Sequence, residues 1–219
     1  MVVTNTTRDI NELNPLVQVM LEAALTKIKK KKINPLVVET YRPLERQYYL
    51  YGKGRTKAIC IGAGMPEKYA KKYAAPKEGK VTWTLSSIHI KRCAVDLIPQ
   101  RNGKAIWDSN DKQTKEIIKI MESVGFEAGA NWKNSPDSPH FQVAGISEKS
   151  QYFTSKNTNY YITKMIQTKL KSLGFYNKAY AVDGSWGTAT TNAVNKFRKK
   201  HGWDDNGKIG VKCLKELLS

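Results

Sequence analysis

The sequence predicts an α+β fold, a small antiparallel sheet with helices, followed by a three-helix bundle. Three observations carry that expectation. A long amphipathic helical pattern opens the chain, short β-rich runs then alternate with helices as far as residue 143, and three short helical patterns joined by glycine turns close it.

The first helix is expected over Asn11–Ile33. Leu13, Leu16, Val17, Met20, Leu21, Ala24, Leu25 and Ile28 recur at helical spacing, and Pro15 is tolerated in a first turn. The basic run Lys29-Lys30-Lys31-Lys32 falls where this helix should end, and the helix dipole favours cations there. A strand follows at Leu36–Tyr41, and Arg42-Pro43 then opens a second helix through Glu45, Gln47 and Leu50. Residues 52–80 are rich in Gly, Lys and Pro and read as a long surface loop. Val81–Thr84 and Ala94–Ile98 are the next expected strands. A helix over Lys112–Val124 stops at Gly125, and Phe126–Ala128 and His140–Val143 complete the sheet. The first domain is therefore placed at 1–145.

Residues 146–159 have the polar composition of a linker. The bundle over 160–219 has helical patterns at Ile162–Leu173, Thr188–Lys200 and Val211–Leu218. Its turns echo each other: Asp183-Gly184 and Asn206-Gly207 are each followed by a second glycine three residues later.

The 219 residues are 40% hydrophobic, 26% charged and 10% aromatic, a globular composition. A net charge of +18 favours polyanions, whether nucleic acid, a membrane surface or an acidic wall polymer. The excess is spread out. Residues 151–219 hold 12 Lys and Arg against 4 Asp and Glu, leaving +8 there and +10 in the first 150 residues. A nucleic-acid-binding tail would concentrate its charge in one block, and no recognition motif is present, so no nucleic-acid partner is expected. Three cysteines without a CxxC argue against a disulfide scaffold and a cysteine-ligated zinc finger, and fit a reducing cytosol. The N-terminus lacks a signal-peptide pattern, and no run approaches a membrane span of about 20 apolar residues, so no membrane insertion is expected.

The chemistry concentrates at four residues. His89 lies seven residues before Asp96, and His140 lies three after Asp137. Two imidazoles and one carboxylate are a ligand set that catalytic zinc uses, with a fourth position left for water. Asp96 sits inside the apolar run Ala-Val-Asp-Leu-Ile-Pro, where a carboxylate is costly unless paired or bound to a metal. Asp137, in a turn stiffened by Pro136 and Pro139, is placed to act as a general base beside such water. Spacing alone is weak evidence, since a lone histidine is usually structural and Asp-Ser-Pro is an ordinary turn.

These residues stand in blocks that resemble the VanY-like zinc peptidases, a group holding D-Ala-D-Ala carboxypeptidases and the L-alanyl-D-glutamate endopeptidases of phage endolysins. Ser87-Ile88-His89-Ile90-Lys91-Arg92-Cys93-Ala94-Val95-Asp96 is similar to that family's Ser-x-His-x-x-Gly-x-Ala-x-Asp motif, with Arg92 in place of the glycine. Asp137-Ser138-Pro139-His140-Phe141 matches its Asp-x-Pro-His-Phe motif, with Trp132 upstream. Glu39–Gln47 and Leu50–Thr56 resemble a third block, ending in the Leu-Tyr-x-x-Gly-Arg-Thr pattern of the endolysin branch. The resemblance implies a Hedgehog/DD-peptidase-like fold, Zn2+ held by His89, Asp96 and His140, and Asp137 as base. It implies Arg42 as the cation for substrate or transition-state charge, and Ser87, Gln47 and Arg55 as substrate-binding residues. The glycine replaced by Arg92 normally allows a tight bend between the His and the Asp.

The C-terminal segment resembles the peptidoglycan-binding domain of many wall hydrolases, through Ile166-Gln167, Leu173-Gly174-Phe175-Tyr176 and Val182–Gly187. Trp186, Tyr176 and Trp203 are stacking candidates there, and His201 is expected at the surface without a partner. Together the resemblances imply a monomeric, endolysin-type peptidoglycan hydrolase cutting the L-alanyl-D-glutamate bond. Bacterial peptidoglycan is the partner and anionic wall polymers a further one. It would be made in the host cytoplasm and act on the wall after release by a holin. D-Ala-D-Ala carboxypeptidase action and non-catalytic wall binding are the rival readings.

Overall fold

The structure is a computed structural model and describes residues 2–219. Helix α1 (Pro15–Lys30) begins at Asn14, whose side chain accepts from the Leu16 N–H at 2.8 Å, so it is shorter at both ends than its apolar pattern suggested. Strand β1 (Asn34–Glu39) leads to α2 (Leu44–Gly52). Residues 52–80 are not one long loop: they contain α3 (Lys57–Gly62) and α4 (Glu67–Tyr73) around a small core of Tyr51, Cys60, Met65 and Ala70. Each helix is under two turns, so its periodicity is too short to stand out.

Strand β2 (Ala94–Arg101) pairs with β3 (Lys104–Ala105), α5 (Lys112–Ser123) crosses behind, and β4 (Glu127–Ala128) and β5 (His140–Gln142) follow. The order across the antiparallel sheet is β1-β2-β5-β4. Val81–Thr84 does not join it. The Thr82 and Thr84 carbonyls accept from the Arg55 and Gln47 side chains instead of from a neighbouring strand.

The register decides what each face carries. Paired residues share a face, and alternate residues along a strand lie on opposite faces. Val37 pairs with Leu97 and Val95 with Phe141, and this face packs in the core with α1 and α5. Between Val37 and Glu39 the register slips by one residue, a β-bulge that brings Glu39 opposite Asp96. Asp96 in turn pairs with His140. Glu39, Asp96 and His140 therefore form a row across three strands on the face away from the core.

Beyond β5, residues 146–159 are held rather than loose. Asn14 Nδ2 donates to the carbonyls of Ser147 and Ser150 at 2.9 and 2.8 Å, and Ile146 and Phe153 are buried. Strand β6 (Tyr152–Phe153) pairs with β7 (Ile209–Gly210). Helices α6 (Tyr160–Ser172), α7 (Thr188–Lys200) and α8 (Val211–Leu218) form the bundle, and α8 packs on α1 within one continuous apolar core. The echoing turns are built alike: the Gln167 amide oxygen accepts from the Gly184 N–H at 2.9 Å, and Asn195 does the same for Gly207 at 2.8 Å. His201 is not alone. It stacks on Trp203 at 5.0 Å and packs against Phe197, because the turn after α7 folds Trp203 back over it. Tyr176 is buried and unavailable for stacking on a ligand.

Candidate metal centre

Ser87 caps a one-turn 3-10 helix, Ile88–Lys91, by accepting from the His89 N–H at 3.3 Å. The turn is pinned to the segment after β1, since the Arg42 N–H donates to the His89 carbonyl at 3.3 Å. His89 is fully buried, and its Nδ1 donates to the Thr40 carbonyl at 2.6 Å, which leaves the lone pair on Nε2. His140 is fixed in the opposite sense. Its Nε2 faces Gln142 Oε1 at 3.2 Å, so Nδ1 is the free nitrogen. Gln142 donates to Glu127 at 3.0 Å, Glu127 also accepts from the Trp132 indole at 2.9 Å, and that indole ring lies 5.1 Å from the His140 ring.

The two free nitrogens and Asp96 Oδ1 form a near-equilateral triangle. The edges are 3.1 Å from His89 Nε2 to Asp96, 3.1 Å from His140 Nδ1 to Asp96, and 3.2 Å between the nitrogens. A tetrahedral ion with bonds of about 2.0–2.1 Å separates its ligand atoms by about 3.3 Å, so the donor set fits one transition-metal ion. The electrostatics agree. Burial alone would push the Asp96 carboxyl up, but the charge and hydrogen bonds of His89 and His140 hold it far below the usual carboxylate range. Burial would likewise lower His140, yet Asp96 raises it. The carboxylate thus draws positive charge to the point between the rings.

Asp137 lines the same pocket of about 710 Å³. Its carboxyl is raised, first by burial and then by the charge of Asp96. Its place depends on Gly129, whose carbonyl accepts from the Asp137 N–H at 3.0 Å. A Cβ on Gly129 would sit 2.6 Å from the Asp137 carbonyl oxygen and 3.2 Å from the His140 Cβ, so only glycine allows this approach.

Arg42 also lines the pocket. Its Nε donates to Glu39 Oε2 at 3.0 Å, Nη2 to the same oxygen at 2.5 Å, and Nη1 to Gln47 at 2.9 Å. Three of the five guanidinium N–H groups are engaged, leaving one on each terminal nitrogen. Nη2 lies 3.7 Å from Asp96 Oδ2. Glu39, 3% exposed, also accepts from Arg46 Nε at 2.7 Å. Gln47 stands behind Arg42 and donates to the Thr84 carbonyl at 2.6 Å. Arg55 is not among the pocket-lining residues. It is buried against the Tyr51 ring and donates to the Tyr51 and Thr82 carbonyls at 2.7 and 2.8 Å. Sequence reasoning thus brought together His89, Asp96, His140, Asp137, Arg42 and Ser87, and missed Glu39, Glu127, Gln142 and Gly129. Glu39 carried a usable signal, a carboxylate closing an apolar strand, as Asp96 interrupts one.

Arg92 adopts a left-handed conformation of the kind that favours glycine, with φ 60°. Its guanidinium lies 3.8 Å from the Tyr41 ring centre, bonds the Glu12 carboxylate and reaches Glu148 at 3.7 Å. The bend between His89 and Asp96 therefore survives, and the side chain ties it to the N-terminal segment and to residues 147–150.

Residues 80–143 match the family model described as D-alanyl-D-alanine carboxypeptidase, a stretch that includes all three candidate ligands and Asp137. Residues 162–217 match the model of a putative peptidoglycan binding domain. The chain is 27% identical over 141 residues to the peptidoglycan L-alanyl-D-glutamate endopeptidase CwlK of Bacillus subtilis (strain 168), covering 61% of this chain and 74% of the relative. Among solved structures it is similar to the L-Ala D-Glu endopeptidase ChiX of Serratia marcescens, at 21% identity and a TM-score of 0.41 over 63% of this chain and 87% of the other. The LD-carboxypeptidase LdcB is similar at 15% identity and a TM-score of 0.38, over 61% and 59%. The chain thus joins a VanY-like peptidase domain to a peptidoglycan-binding domain.

Proposed function

We propose that the protein is a zinc-dependent endopeptidase that cuts the L-alanyl-D-glutamate bond of the peptidoglycan stem peptide. The observation that carries the reading is the triangle of His89 Nε2, Asp96 Oδ1 and His140 Nδ1, with Asp137 in the same pocket. Two nitrogens and one oxygen at tetrahedral spacing suit zinc, and the choice of bond follows the CwlK relative.

Zinc, when bound by His89, Asp96 and His140, would polarise the scissile carbonyl and acidify a water molecule. Asp137 takes the proton of the attacking water and delivers it to the leaving D-glutamate amine. Its place in the same pocket as the three ligands puts its carboxylate within the cleft where that water would be held. The free N–H groups of Arg42 face negative charge, either that developing on the carbonyl oxygen or a substrate carboxylate. Ser87 fixes the His89 turn, Gln47 steadies Arg42, and Arg55 acts from behind by holding the 81–84 loop. The domain division at 1–145, 146–159 and 160–219, the monomeric state, affinity for anionic wall polymers and a phage-lysis role with release by a holin belong to the same reading. The lysis role rests on the Leu-Tyr-x-x-Gly-Arg-Thr block.

Mass spectrometry of digested walls tests the bond. New N-terminal D-glutamate is expected, whereas loss of single D-alanines would establish carboxypeptidase action, to which the description of the matched family points. Asp137→Asn should lower hydrolysis by about 10²–10⁴-fold while leaving wall binding intact. Unchanged hydrolysis would remove Asp137 from the mechanism.

A further inference from the structure

Trp83 and Trp107 are the two most exposed large apolar side chains among the described residues, at 65% and 61%. Both line the pocket that holds His89, Asp96, His140 and Asp137. Neither belongs to either apolar core. Holding two indoles in water forgoes the burial of a large apolar area, and exposed apolar surface beside a polar cleft marks a binding groove.

The backbone on either side of each indole is fixed. Thr82 accepts from Arg55 Nη2 at 2.8 Å and Thr84 from Gln47 Nε2 at 2.6 Å, one anchor before Trp83 and one after. The Ile106 N–H donates to the Pro99 carbonyl at 2.9 Å, and Thr114 Oγ1 donates to the Asp108 carbonyl at 2.9 Å, which brackets Trp107 in the same way. The Lys80 ammonium and the Arg55 guanidinium lie 5.6 and 5.8 Å from the Trp83 ring centre and leave most of the ring in solvent. The two loops present their indoles rather than store them.

The chemistry of the substrate says what meets them. In a peptidoglycan stem the L-alanine nitrogen is acylated by the lactyl carboxyl of N-acetylmuramic acid. On the endopeptidase reading given above, on which this inference rests, the lactyl carbon lies one residue spacing, about 3.8 Å, to the amino side of the L-alanine, and the pyranose ring begins one ether oxygen beyond it. The electron-rich face of an indole attracts the polarised C–H groups of such a ring. We infer that Trp83 and Trp107 form a saccharide subsite that holds the muramyl end of the substrate while the stem peptide lies across the metal ligands. The subsite gives the enzyme a reason to prefer glycan-linked stems over free peptide. A carboxypeptidase working at the far end of the stem would not need one there.

The test uses the full chain loaded with zinc and two substrates: a disaccharide muropeptide, and the same stem peptide without sugar. Trp83→Ala and Trp107→Ala should each lower kcat/KM on the muropeptide by about tenfold, mainly through KM, and the double variant should lower it further. All three should cut the sugar-free peptide within about twofold of the parent, and Trp107→Phe should recover much of the muropeptide loss. Equal losses on both substrates, or no loss in the double variant, would overturn the subsite alone. If the parent enzyme cuts neither substrate at L-Ala–D-Glu, the endopeptidase reading falls and the subsite falls with it.

Discussion

Across the floor of the pocket, the side chains themselves are held by hydrogen bonds; along its rim the backbone is fixed and the side chains stand free. On the floor, His89 is oriented by the Thr40 carbonyl, His140 by Gln142 and Glu127, and Arg42 by Glu39 and Gln47. The strand register brings Glu39, Asp96 and His140 into one row. On the rim, Trp83 and Trp107 ride on loops pinned by hydrogen bonds that never touch the indoles. The contrast separates two demands. Reaction geometry tolerates little displacement and needs a rigid floor, whereas recognition of a bulky substrate is carried by surface loops on that scaffold.

If the floor is that rigid, the largest effect should come from taking away what it is built to hold. Chelation should abolish hydrolysis and added zinc restore it, measured on purified walls. Metal occupancy should also decline as pH falls, because Asp96 raises His140 and a proton there competes with the ion. Occupancy that is flat with pH would mean the imidazoles are not ligands.

The next effect should come from crowding the floor without replacing a ligand. Gly129→Val puts side-chain atoms where the Asp137 carbonyl and the His140 Cβ already are. We expect a loss of kcat of roughly 100-fold with zinc content preserved, since displacement by about 1 Å costs that much. Full activity would show that Asp137 reaches the reaction from elsewhere.

Glu39→Gln tests stability instead. It leaves the buried Arg42 and Arg46 without their anion, which should cost about 3–5 kcal/mol in a denaturation experiment. The pH dependence has a definite sign. Burial works to raise Glu39, but the two arginines outweigh it and hold its pKa below the ordinary glutamate value of about 4.5. Its stabilisation is complete above that value and is lost as pH falls through the depressed one. Glu39→Gln should therefore flatten the acid limb of stability.

Arg92→Gly should do least. It removes a strained left-handed arginine, but also a half-exposed ion pair and a cation–π contact, each worth about 1 kcal/mol or less. A shift in Tm of only a few degrees is expected, with faster proteolysis at 147–150 as the clearer readout. A large collapse of activity would make Arg92 part of the floor.

Much of the fold was legible because its signals are local. Asp96 interrupting an apolar strand, the heptad-like face of α1 and the echoing Asp-Gly and Asn-Gly turns each declare themselves within a few residues. What escaped depends on pairing at a distance. Glu39 reaches Asp96 only because of a bulge at Val37–Glu39, and nothing in the six residues of β1 announces it. Gln142 and Glu127 look like ordinary polar positions on short strands until the register lays them beside His140. Trp83 reads as a strand residue by propensity, yet its neighbours' carbonyls go to side chains, so it becomes a rim residue. Arg55 reads as a site residue by motif and turns out to be an anchor.

The shared core of α1, α6 and α8 has a kinetic consequence. A wall-binding module on a leash lets its enzyme sweep every bond within the leash's span from a single attachment, at an effective concentration set by chain length. Here Phe153, Met165 and Leu214 are packed with Met20 in one interior. The module and the pocket keep a constant separation, so one attachment offers only the stems at that separation. Progress across a wall is then paced by letting go, and tighter attachment would make a slower hydrolase.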